Sequence, residues 1–245
     1  MKLTLFTLLL SLTLMSATAQ TNFKVQQLKF NRVKTAYNEK WTVLKQFLKA
    51  GGIGDEFSML INAYKTEGKL EVWLKNRKDK TYNLFRTYDF CEHSGTIGPK
   101  LYEGDGQTPE GFYHITAFNP MSNFYLSLGI NFPNSVDYAR TGKGRSPGSD
   151  IYIHGNCVTV GCIPLTDEKI KEVYILAVEA KNAGQERIPV NIYPFKLTDG
   201  NLKKYAAQFP KQAGFWKTLQ AGYLAFEKEK NSSGIVEVKG KYLIR

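Results

Sequence analysis

One stretch restricts the fold of this chain more than any other: Asp150-Ile151-Tyr152-Ile153-His154-Gly155-Asn156-Cys157-Val158-Thr159-Val160-Gly161-Cys162, with a helix signal at Thr166-Asp167-Glu168 just after it. Residues alternate from Ile151 to His154, so the isoleucines face a core while Tyr152 and His154 point the other way from one strand. Gly155-Asn156 is a turn signal, and Val158-Thr159-Val160 is a short β-branched run. Thr166 suits an N-cap, acids occupy the first turn beyond it, and Gly184 supplies the stop. The chain is expected to leave His154, turn, and return with Cys162 beside it, just ahead of a helix.

The rest of the pattern sets the fold class. Val33, Tyr37, Trp41, Leu44 and Leu48 recur at helical spacing until Gly51-Gly52. Two runs rich in β-branched and aromatic residues flank Thr66-Glu67-Gly68-Lys69 and read as a hairpin. Further strand signals cover 81–90, 111–118, 124–130, 151–154 and 190–195, and a last helix carries Trp216, Leu219, Tyr223 and Phe226. Many strands with few, late helices predict an α+β fold with a β-rich core and helical additions at both ends.

The first residues read as an export signal: one lysine, an apolar run from Leu3 to Met15, then Ala17-Thr18-Ala19 as a cleavage site. That run is shorter than the roughly 20 apolar residues that span a bilayer, so no transmembrane segment is expected in the mature chain. The boundaries that follow are a signal peptide at 1–19, a helical segment at 20–52, a β-rich main domain at 53–196 and a basic helical extension at 197–245. Cleavage after Ala19 removes Lys2 and lowers the formal charge from +11 to +10. The excess suits an anionic partner, and export disfavours nucleic acid as that partner. Only the tail concentrates charge: residues 201–245 hold eight lysines and one arginine against three glutamates.

His154 and Cys162 together suit nucleophilic catalysis. A thiol is only slightly ionised at neutral pH and needs a nearby imidazole, helped by the positive end of a helix. Gly161 lets a substrate carbonyl approach the backbone, where the Cys162 N–H could hold an oxyanion. Asp150 stands four strand steps from His154, about 13 Å away, so a backbone carbonyl is the better candidate to fix the imidazole tautomer. Cys157 reads either as a buried structural thiol or as a disulfide partner of Cys91. The rival is a zinc site of His154, Cys157 and Cys162 completed by Cys91 or His93, with atom types that fit but spacing that does not pair. No cofactor or metal is otherwise called for.

Taken with the upstream SGTIGPKLYEGDGQTPEGFYHI and FNPMSNFYLSLGINFPNSVDYAR, the stretch IHGNCVTVGCIPLTD resembles the YkuD-type L,D-transpeptidase family, in its YafK-like branch. The resemblance runs from about 57 to 192 and rests on Thr108-Pro109-Glu110-Gly111, His154-Gly155 and Gly161-Cys162 in combination. It implies the family's β-rich catalytic domain, Cys162 as nucleophile, His154 as its base, and the peptide stem of peptidoglycan as substrate. It leaves open transfer to an amine, hydrolysis of a cross-link or release of a wall-attached protein, and a non-catalytic wall-binding module. The implied location is periplasmic or cell-wall associated.

Two departures from the commoner branch matter. There a serine-histidine-glycine-cysteine run holds the nucleophile and the basic histidine lies about fourteen or more residues upstream, whereas here Thr159-Val160-Gly161 precede Cys162 and seven residues separate it from His154. Pro164 also stands where an arginine is common, so a cation for substrate carboxylates is expected from the glycine-rich loop holding Arg140, Lys143 and Arg145. His114 follows the Thr-Pro-Glu-Gly turn and is a candidate for the cleft lining. His93, in a polar glycine-rich loop, reads as solvated.

Overall fold

In the computed structural model, which describes residues 23–232 and 234–244, the first elements are helices α1 (Phe23–Gln27) and α2 (Asn31–Ala50). The segment read as a signal peptide lies outside the described residues. Helix α2 buries Val33, Ala36, Tyr37, Leu44 and Leu48, the expected stripe, and the chain breaks at Gly52, whose φ of +71° suits glycine. Trp41 stays at the margin of that face, packed against the core but only partly buried.

Strands β1 (Phe57–Tyr64) and β2 (Lys69–Asn76) form the expected hairpin, closed by Gly68 at φ +60°, and β3 (Asn83–Asp89) adds to β2. Next come β4 (Gly111–Asn119), β5 (Ser127–Ile130), helix α3 (Ser135–Thr141), β6 (Tyr152–His154), β7 (Ile163–Pro164), helix α4 (Asp167–Asn182) and β8 (Pro189–Tyr193). Helices α5 (Asp199–Gln208) and α6 (Ala213–Glu229) and a hairpin of β9 (Ile235–Val238) and β10 (Lys241–Ile244) complete the order. One mixed sheet runs β3-β2-β1-β8-β4-β5-β6-β7, with β8 parallel to β1 and antiparallel to β4. The fold is therefore mixed α and β around a sheet, with helices at both ends of the chain.

The sheet is buried on both faces, which explains why β1 is almost continuously apolar rather than alternating. Met59, Ile61 and Ala63 point into a core shared with α2 and α4, where Val173, Tyr174, Leu176 and Ala177 are fully buried. Tyr64 and Phe112 point into a second cluster with Tyr193, Phe195, Trp216, Leu219 and Tyr223. The C-terminal segment thus covers a sheet face, and it is not purely helical. The β9–β10 hairpin brings Tyr242 onto that face, where its hydroxyl accepts from Phe112 N at 3.2 Å and from Asn134 Nδ2 at 2.8 Å. Charged flanks of Val236 and Tyr242 hid the hairpin in the sequence.

Helix α3 was also missed. It is a short turn set by a capping box, in which Asn134 Oδ1 accepts from Asp137 N at 3.1 Å and Asp137 Oδ2 accepts from Asn134 N at 2.9 Å. Arg140 therefore sits in a helix and not in the glycine-rich loop.

Candidate active site

The parallel pairing of β6 with β7 builds the site. Ile153 stands opposite Ile163 and His154 opposite Pro164, so Cys162 enters the sheet beside Tyr152. The return from His154 is thus a crossover loop and not a hairpin, with Val160 left 84% exposed on it. Cys162 stands one residue ahead of β7, beside Tyr152 in register, and so two residues or about 7 Å along the strands from His154. Among the described residues no hydrogen bond joins them. The Cys162 sulfur accepts from Tyr152 N at 3.4 Å and its thiol is directed at Asp150 O, 3.6 Å away.

His154 is fully enclosed at 1% exposure, with its ring 4.7 Å from that of Phe124. Its Nδ1 lies 2.5 Å from Gly155 O. A carbonyl oxygen can only accept, so Nδ1 carries the proton and Nε2 keeps its lone pair. A backbone carbonyl fixes the tautomer, as the strand spacing required. Burial holds the imidazole below the usual histidine range, and the Gly155 bond opposes part of that shift.

Gly161 is irreplaceable for a local reason. Its φ is +141°, and a Cβ there would lie 2.9 Å from Gln107 O. Its N–H donates to Thr159 Oγ1 at 3.1 Å, and Thr159 Oγ1 donates to Cys162 O at 2.8 Å, so the threonine braces the turn into Cys162. No described residue accepts from the Cys162 N–H, which leaves it available to a ligand oxygen. The helix, by contrast, does not reach the thiol: β7 and Leu165 intervene before the Thr166 cap, and the helix dipole fades within a turn. Burial instead pushes the Cys162 thiol up, while the Tyr152 N–H and Lys100 pull it partly back.

Cys91 and Cys157 form a disulfide, with Cα atoms 5.4 Å apart, which leaves Cys162 as the free thiol. The bond consumes Cys157, which the zinc reading needed, and Cys91, one of its two candidates for the fourth ligand. It also draws the 91–97 segment alongside β7, where Cys91 N donates to Pro164 O at 3.1 Å. A cleft of about 200 Å³ results, lined by Lys65, Thr66, Phe90, Glu92 to Ile97, Thr108 and Cys162. A larger cavity of about 370 Å³ lies elsewhere, against α6 and β9, and does not include Cys162. The thiol marks the smaller one as the chemically relevant cleft.

Beneath that cleft lies a buried ion pair. Lys65 Nζ donates to Gly98 O at 2.6 Å, Thr108 O at 2.8 Å and Glu110 Oε1 at 3.0 Å. Glu110, wholly buried, also accepts from Gly98 N at 2.8 Å and Trp216 Nε1 at 2.9 Å. The Thr-Pro-Glu-Gly motif thereby ties the cleft wall to α6.

The other sequence candidates fall outside the cleft. Arg140 lies under Phe215, its guanidinium 3.6 Å from the ring centre, and donates to Gln212 Oε1 at 3.4 Å. Arg145 rests 5.9 Å over Tyr102, and neither it nor Lys143 lines the cleft. His114 faces the larger cavity with Arg187 and Glu237. His93, read as solvated, is exposed but on the wall facing Cys162. A Cys91–Cys157 pairing assumed from the sequence would have flagged it, since His93 follows one cysteine by two residues and Cys162 follows the other by five.

The region that builds this cleft coincides with a known domain. The family profile described as the L,D-transpeptidase catalytic domain, YkuD, matches residues 59–192. YafK of Escherichia coli, itself assigned only provisionally as an L,D-transpeptidase, is 34% identical over 186 residues in strains K12 and O157:H7, covering 75% of this chain and 72% of the relative. Among solved structures, the helical cell shape determining protein Pgp2 of Campylobacter jejuni aligns with a TM-score of 0.44 at 18% identity, over 68% of this chain and 70% of that one. Bd1075 of Bdellovibrio bacteriovorus aligns with a TM-score of 0.39 at 20% identity, over 67% and 58% respectively. The matched residues carry β2 through β7, most of β1 and β8, and every group of the cleft that surrounds Cys162, and on the profile match and the identity to YafK the chain belongs to the YkuD L,D-transpeptidase catalytic-domain family.

Proposed function

We propose that this protein is an exported, periplasmic or wall-associated cysteine acyltransferase that remodels peptidoglycan stem peptides through a Cys162 thioester. The observation that carries the reading is a free thiol that returns, two residues away in register, beside the strand that holds a tautomer-fixed imidazole. Family membership supports the substrate class, and the excess positive charge suits an anionic polymer.

In this mechanism a rotation about the Cys162 Cα–Cβ bond releases the sulfur from Asp150 O and turns it toward His154. Nε2 takes the thiol proton as the sulfur attacks the stem carbonyl. The tetrahedral oxyanion sits on the Cys162 N–H, an interaction of a kind typically worth roughly 3 kcal/mol. Collapse breaks the peptide C–N bond, His154 returns the proton to the leaving amine, and an acyl thioester remains. An acceptor amine then attacks the thioester as His154 takes its proton, the C–S bond breaks, and the proton passes to the released Cys162 sulfur.

Mass spectrometry of purified muropeptides incubated with the protein, with and without an acceptor amine, tests this. New cross-links or exchanged termini that depend on the amine support transfer. Cleavage products alone would assign the protein to hydrolysis of cross-links or release of wall-attached protein, and no change with either would remove the enzyme reading.

A further inference from the structure

The loss of Arg140, Lys143 and Arg145 from the cleft reopens the question of what meets a substrate carboxylate there. Most polar side chains on the lining are already committed. Lys65 spends its three N–H groups on two carbonyls and Glu110. Thr66 Oγ1 donates to Pro194 O at 2.7 Å and Ser94 Oγ to Gly106 O at 2.6 Å. Thr96 Oγ1 accepts from Gln107 Nε2 at 3.1 Å, and Glu92 Oε1 accepts from the backbone N of His93 at 2.8 Å. The ring nitrogens of His93 take no hydrogen bond among the described residues, and no other exposed side-chain nitrogen stands on this lining.

His93 is also held still. Its ring packs on the β1–β2 turn, where a Cβ on Gly68 would lie 2.6 Å from Cε1. The segment that carries it is fastened on both sides: by the Cys91–Cys157 disulfide and the Cys91 N bond to Pro164 O before it, and by Thr96 N to Gln107 Oε1 at 3.0 Å and Gly98 N to Glu110 Oε1 after it. A donor on a fixed wall loses little freedom when it binds.

We infer that His93 is a specificity-determining residue whose imidazole N–H donates to a carboxylate of the peptide bound at Cys162. The inference rests on the proposed function, because the carboxylate it would recognise is that of a peptidoglycan stem. It makes the 91–97 wall the recognition side of the cleft, opposite in role to the Cys162 thiol that does the chemistry. A hydrogen bond to a charged acceptor is strong enough for its loss to change affinity by about tenfold.

The test uses the intact chain and two synthetic stem peptides, one with its free C-terminal carboxylate and one amidated there. His93→Ala and His93→Phe should each raise KM for the free carboxylate about tenfold, with little change for the amide and an unchanged rate of Cys162 alkylation. Phenylalanine preserves packing on Gly68, and glutamine restores an N–H donor, so His93→Gln should recover most of the affinity while a purely structural role would favour Phe. Wild-type turnover with KM unaltered in His93→Ala overturns the inference alone, as does slowed Cys162 alkylation, which would place His93 with the thiol instead. Absence of wild-type turnover on both peptides overturns the proposed function and this inference with it.

Discussion

The Nδ1 of His154 lies 2.5 Å from the carbonyl oxygen of its own neighbour, Gly155, so the two residues lock one tautomer in which Nε2 keeps its lone pair. Burial keeps this imidazole neutral to lower pH than an exposed histidine. The acid limb of the activity profile should therefore fall below the ordinary histidine value, near 6.5. Stability carries the same sign: the unfolded chain binds the proton first, so the contribution of His154 is whole above about 6.5 and is lost as pH falls toward the lower folded value. Urea melts between pH 5 and 8 should show that loss in wild type and a flatter profile in His154→Gln; parallel profiles would refute the assignment.

Burial pushes the Cys162 thiol the other way. Its alkylation should rise with pH to a midpoint above that of an unburied cysteine, and His154→Ala should slow it near neutrality. Intact-mass analysis should find one adduct without reductant and three after reduction in denaturant, because Cys91 and Cys157 are paired. Cys162→Ala should abolish turnover with the melting temperature nearly unchanged. Turnover that survives in this variant would exclude the thiol as nucleophile.

Cleavage of the disulfide should act on stability. It closes a separation of 66 residues, for which the chain-entropy relation gives about 4 kcal/mol. Replacing both cysteines by serine should lower unfolding free energy by an amount of that order and loosen the 91–97 wall, seen as faster hydrogen exchange there. Unaltered exchange would mean that the wall is held by its hydrogen bonds alone.

Gly161→Ala places a methyl group 2.9 Å from Gln107 O at a φ that L-residues avoid. Backbone strain of this kind costs about 1–3 kcal/mol, and here it would be relieved by shifting the Gly161–Cys162 peptide. The expected result is a fall in kcat larger than the fall in stability; equal, small changes in both would show that the turn has slack.

The Lys65–Glu110 pair predicts a structural phenotype. Glu110→Ala leaves a buried ammonium uncompensated and should cost about 3–5 kcal/mol in urea denaturation, whereas Glu110→Gln should cost less because an amide oxygen still accepts from Gly98 N and Lys65. In contrast, Arg145→Gln and Lys143→Gln, chosen from sequence as carboxylate partners, should leave KM for stem peptides as it is. A rise in KM in either would return the basic loop to the site.

The local pattern alone determined a good deal of this protein. Helices α2, α4 and α6, the β1–β2 hairpin, and the apolar strand segments were legible because each repeats a period or ends in a capping residue or glycine. Thr166 does cap α4, accepting from Lys169 N at 3.4 Å, and Ile151 and Ile153 do face the core. The return of the chain to the strand that carries His154 was legible as a motif, since the intervening loop is short. Tertiary structure decided what no local period encodes. It made the His154–Cys162 return parallel, inserted β8 between β1 and β4, joined Cys91 to Cys157, and set His93 rather than Arg140 or Arg145 on the cleft wall. Apart from that short return, these outcomes depend on which residues meet across 60 or more positions, and such encounters are selected by burial of both sheet faces and by pairing of buried polar groups, terms that belong to the whole fold and leave no mark on any short stretch of the chain.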